Sequence, residues 1–114
     1  MLKSLLLFGV LVTLNSITYA QRPLGARVEG RLSDHSKNDT TRVRLLNQLS
    51  HRPGLPPHQS KKFAREAITI AQNIGFKEGE ADGYRWLARP FSKDKKLDSA
   101  LIYYTKALNL FVEL

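Results

Sequence analysis

Apolar residues recur at three- and four-residue spacing through four stretches of the chain, and no stretch shows the two-residue alternation of a half-buried strand. Val43, Leu46, Leu49 and Ser50 predict a short helix over residues 41–50, with Asp39 or Thr40 as its cap. Phe63, Ala64, Ala67, Ile70, Ala71 and Ile74 predict a second over 59–74, closed by Gly75. A third, from Lys77 or Glu78 to Arg89, turns Ala81, Tyr84, Leu87 and Ala88 inward. The fourth, over 97–111, carries Leu97, Ala100, Leu101, Tyr104, Ala107, Leu108 and Phe111 on its apolar stripe, with Asp98 complementing the helix dipole in the first turn. Pro53, Gly54, Pro56 and Pro57 interrupt the pattern between the first two helices. Four helices with short connections give an all-α fold.

The helices come in pairs that repeat. Ala64-Arg65-Glu66-Ala67-Ile68 returns 40 residues later as Tyr104-Thr105-Lys106-Ala107-Leu108, and Ile70 and Ile74 return as Leu110 and Leu114. Such a period marks stacked units that bury their apolar faces against neighbours. In the second unit, residues 77–114, the residues Tyr84, Leu87, Ala88, Phe91, Leu97, Ala100, Tyr104 and Ala107 match large and small positions in turn. Small residues let backbones approach, and large ones fill the space between helices. This pattern resembles the signature of a tetratricopeptide repeat. The first unit, residues 41–76, is a degenerate copy: Leu46, Leu49, Ser50, Phe63, Ala64 and Ala67 fit, while prolines replace an expected aromatic and Ser60 stands where alanine is usual.

The resemblance implies antiparallel helix pairs stacked as a short α-solenoid of about two repeats, acting as a non-catalytic scaffold for protein–protein interaction. It also implies that Asp82, Arg85, Arg89, Ser92 and Lys93 line the concave face, where paired guanidinium groups would hold an acidic peptide or a chain terminus. The 40-residue spacing is similar to that of repeat arrays in bacterial sensor kinases and related regulators. That likeness implies an alternative, the N-terminal sensory region of a two-component sensor histidine kinase. Pro90 departs from the pattern; an interior proline costs about 3 kcal/mol, so the third helix is expected to end early there. Leu114 stands at the phase of Ile74, directly before a turn glycine. Leu108, Phe111 and Leu114 are therefore expected to lack cover, as in the opening of a longer array or in a chain that self-associates through its last helix.

The N-terminal region changes where this scaffold is expected to work. Lys3, an apolar run from Leu5 to Leu14, and Thr18-Tyr19-Ala20 have the three-part layout of a secretory signal peptide cut after Ala20. The run is shorter than the roughly 20 residues of a membrane span, so an exported periplasmic or extracellular protein with no stable span after cleavage is expected. Residues 21–40, rich in Arg, Gly, Ser, Asp and Asn, read as a flexible lead-in, with Asn38-Asp39-Thr40 matching a glycosylation acceptor.

The chain has no cysteine, which removes disulfides, lipid attachment and thiolate metal sites. Its net charge of +8 admits an acidic partner, but no stacking aromatics or docking motif accompany the charge, so nucleic acid is not the expected partner. His35, His51 and His58 fall in expected loops without metal-motif spacing, and Glu78 and Glu80 do not face each other. No residues meet the first geometric requirements of an active site, so neither catalysis nor a cofactor is expected.

Overall fold

A computed structural model describes residues 24–114, and every regular element among them is a helix. The five helices are α1 (Leu24–Asp34), α2 (Thr40–Ser50), α3 (Pro57–Ile74), α4 (Lys77–Lys93) and α5 (Leu97–Glu113). Each packs on the next, and α2 also meets α4 across the pair, which is the stacked arrangement of an α-solenoid-like fold. The signal peptide expected over residues 1–20 lies outside the described residues.

Local chemistry fixes the helix ends. Asp39 is the N-cap of α2, its side chain accepting from the Arg42 N–H at 3.1 Å. The expected break between α2 and α3 spans residues 51–56, and α3 opens two residues earlier than expected: Pro56 is its cap and Pro57 its first residue, where a missing N–H costs nothing. Gly75 (φ 72°) closes α3, with the Phe76 N–H reaching Ala71 and that of Gly75 reaching Gln72. The end of α4 has the same hydrogen bonds without the glycine. Lys96 N–H reaches Phe91 and Lys95 N–H reaches Ser92, while Lys95 itself takes the left-handed conformation (φ 59°).

The core lies between α2, α3 and α4. Val43, Leu46, Ala67, Ile70 and Ala71 form one cluster, with Phe63 and Phe76 against it. Ala64, Ile68 and Leu87 form another, which Tyr84, Trp86, Phe91 and Tyr103 flank. Two glycines allow the close approach. A Cβ on Gly79 would fall 2.6 Å from Val43 Cγ1 and nearer still to the Phe76 ring, and one on Gly83 would fall 2.5 Å from Ile68 Cγ1. Glycine in a helix costs about 1 kcal/mol against alanine, and here that cost secures contact between α4 and both helices of the first unit.

Three expectations need correction. Within the segment read as a flexible lead-in, residues 24–34 are helical. Val28 and Leu32, one turn apart, pack on Leu45 and Leu49 of α2 and on Phe63 of α3. An isolated helix of 11 residues is marginal in water, but Val28 and Leu32 set α1 against its neighbours. An Arg52–Glu29 ion pair and an Arg42 hydrogen bond to the His35 carbonyl (2.9 Å) hold it there.

Pro90 does not end α4, which runs on to Lys93. The proline sits in the last turn, where it forfeits a single ladder bond to Trp86; its ring is buried and its carbonyl accepts from the Asp94 N–H. The apolar stripe of α5 is not wholly inward either. Of the residues expected to pack, Leu87, Ala88, Ala100 and Ala107 are buried and Tyr84 and Phe91 half-buried, but Leu97 is 66% and Tyr104 42% exposed. Tyr103 takes the packing role instead, its ring centroid 6.2 Å from that of Tyr84 and 5.4 Å from that of Phe91.

Candidate functional site

The most articulated surface is the face shared by α2 and α4. A buried hydrogen bond sets its width: Asn47 Nδ2 of α2 donates to the Gly79 carbonyl of α4 at 3.1 Å. Beyond it, His51 follows the last residue of α2, and its ring lies 4.0 Å from that of Trp86 on α4, nearly parallel. The imidazole is oriented by its Nδ1, which donates to the Asn47 carbonyl at 2.6 Å. The Arg85 guanidinium stands 4.4 Å from the Trp86 ring.

This stacked pair divides the face into two cavities. The first, about 320 Å³, opens where the 51–57 turn meets the end of α4. Arg52, Arg89 and Lys93 line it with Ser50, Ser60 and His51, and no carboxylate is among its walls. The second, about 210 Å³, lies between Arg44, Gln48, Glu78 and Asp82, with Phe76 and Trp86 as apolar walls. Burial pushes the Asp82 carboxyl above its ordinary value, with the Arg85 guanidinium 3.1 Å away opposing the shift.

The five residues expected to form one groove are thus distributed. Arg89 and Lys93 come together in the first cavity, joined by Arg52. Asp82 belongs to the second and is paired with Arg85, which is engaged with Trp86 and lines neither. Ser92 is exposed and lines neither cavity. Because α4 continues past Pro90, Arg89 and Lys93 remain one turn apart on one side.

Sequence reasoning missed Arg52, Arg44 and the His51–Trp86 stack. The signal for His51 was present, since Ser50 and Ala88 share a repeat phase, and so the next positions, His51 and Arg89, share a face. The other two histidines are also placed. His58 is exposed in the first turn of α3, whereas His35 lies 2.7 Å from Asp39. Among the described residues no three His, Asp or Glu side chains gather as metal ligands.

Against protein-family models, curated proteins and solved structures, the chain matches none. Its function is therefore argued from its own surface.

Proposed function

We propose that this chain is a tetratricopeptide-type scaffold, without catalysis of its own, whose α2/α4 face receives an acidic peptide segment of a partner protein. The carrying observation is the cavity in which Arg89 and Lys93 stand one turn apart with no carboxylate in its walls, Arg52 beside them being shared with Glu29. A guanidinium binds a carboxylate in a bidentate fork, and the Lys93 ammonium adds a second positive charge one turn from Arg89. The apolar walls beside Trp86 would hold the segment that follows. In this reading residues 1–20 direct export, and the scaffold acts in the periplasm or outside the cell. Among the described residues no helix is long and apolar enough to cross a membrane.

Trp86 is the sole tryptophan and stacks on His51, which lines both cavities, so its emission reports occupancy through that ring. Titration with a hexaglutamate peptide is expected to give a saturable change in that emission, weakened about tenfold or more by Arg89→Glu with Lys93→Glu. An equal response to hexaglutamine, or binding unchanged by the charge reversal, would remove the proposal.

A further inference from the structure

The least covered apolar surface among the described residues is one side of α5. Leu97, Leu101, Tyr104, Leu108 and Phe111 follow one another in steps of four, three, four and three, and their exposures are 66%, 66%, 42%, 62% and 37%. That spacing is the seam of a coiled coil, the pattern that keeps one stripe facing a partner helix. Val112, 77% exposed, widens the stripe. None of these positions is charged. The six side chains leave on the order of 600 Å² of apolar surface in water, at the upper end for a monomer's largest patch and close to the roughly 800 Å² per partner of a standard interface once its polar rim is added.

Two features select the partner. The seam is nearly palindromic about Tyr104, so a copy turned by a two-fold axis sets Leu101 against Leu108 and Leu97 against Phe111. The charges have the matching polarity. Lys95 and Lys96 stand at the N-terminal end of α5 beside Asp98, with Asp94 already paired to Lys61, while Glu113 and the helix dipole make its C-terminal end negative. Lys95 and Glu113 are equidistant from Tyr104 along the chain, so antiparallel helices bring unlike ends together and parallel helices would set lysines against lysines. From residue 94 to residue 113 three carboxylates (Asp94, Asp98 and Glu113) balance three lysines (Lys95, Lys96 and Lys106), so copies of a chain of net charge +8 meet here along a stretch without net charge.

We propose that this seam is the interface of a two-fold homodimer in which the α5 helices of two copies lie antiparallel. The interface leaves Arg52, Arg89 and Lys93 untouched, so it stands or falls separately from peptide binding. Sedimentation of the full chain across micromolar concentrations is expected to give twice the chain mass. Leu101→Lys with Leu108→Lys, both at exposed positions, is expected to return it to the monomer with its helix content intact. The chain has no cysteine, so Tyr104→Cys is expected to yield a disulfide-linked dimer under oxidised glutathione, while Leu97→Cys, whose counterpart is Phe111, does not. A monomer at every concentration would overturn the proposal and leave the seam to a helix of a different chain. A dimer that survives the double lysine substitution, or one in which Leu97→Cys crosslinks as readily as Tyr104→Cys, would overturn it equally.

Discussion

The first and second helix pairs are built from the same pattern and end in opposite conditions. In α2, Val43, Leu45, Leu46, Asn47, Leu49 and Ser50 are all buried, because α1, α3 and α4 surround the helix. In α5, a longer helix richer in large apolar residues, only Ala100 and Ala107 are buried. The pair that fits the repeat signature poorly is thus the well-packed one. A repeat signature describes what a helix offers to neighbours, whereas burial depends on which neighbours are present. That is why α1 folds against α2 through Val28 and Leu32, while the broad stripe of α5 finds no cover among the described residues of one chain.

The sharpest way to break this contrast is to truncate one leucine in each pair. Leu46→Ala, at a fully buried site, is expected to cost about 3 kcal/mol in urea unfolding. Leu108→Ala, measured dilute enough to hold the chain monomeric, is expected to cost less than about 0.5 kcal/mol. Comparable losses at both sites would mean that the free side of α5 is covered within the monomer. Next in size is the junction between the pairs. Gly83→Ala is expected to destabilise by about 1–3 kcal/mol through overpacking against Ile68. Adding Ile68→Ala should then cost less than the two separate losses combined, and strict additivity would deny the contact.

Much of this was legible in the sequence, and for a physical reason. Helical periodicity and capping are local, so α2 to α5, the Gly75 turn and the Asp39 cap could all be read from neighbouring residues. What escaped depends on distant ones. Val28 and Leu32 look too sparse for a helix until Leu45, Leu49 and Phe63 are seen beneath them. Gly79 and Gly83 look like weak helix formers until Val43 and Ile68 press against them. Tyr103 and Tyr104 are adjacent, and only the seat of α5 on α4 decides which of them packs. The site was half visible: Arg89 and Lys93 follow from helical spacing, but Arg52 joins them only through the fold of the 51–57 turn.

Smaller effects separate the two helix-ending turns. Gly75→Ala in the first pair is expected to cost about 1 kcal/mol, because alanine pays for the left-handed conformation that glycine adopts freely. Lys95→Gly in the second is expected to raise stability by about 0.5–1 kcal/mol, visible as a higher midpoint in thermal melts. A neutral or destabilising outcome would mean that the lysine side chain compensates for its own backbone. Smallest is a pH effect confined to the first pair. The His35 ring and the Arg42 N–H hold the Asp39 carboxyl below its ordinary value, so the ionised cap is favoured by folding. Its contribution is complete above the ordinary value of 3.8 and is lost as pH falls through the lowered one. Asp39→Asn, which keeps an acceptor oxygen at the cap, should flatten that part of the acid limb; an unchanged acid limb would exclude the cap as its source.

The sparse burial of α5 also sets the order in which the molecule opens. Hydrogen exchange follows local openings wherever a segment can detach without breaking the core. In the monomer, where Ala100 and Ala107 are its only fully buried residues and Tyr103 its main contact, α5 is expected to lift away while Leu46, Ala67 and Ile70 stay packed. Amides of residues 97–113 will then exchange through fraying, and those of 43–50 only when the whole core dissolves. Dimerisation through α5 would then slow exchange in 97–113 first, because it covers the helix that opens most easily.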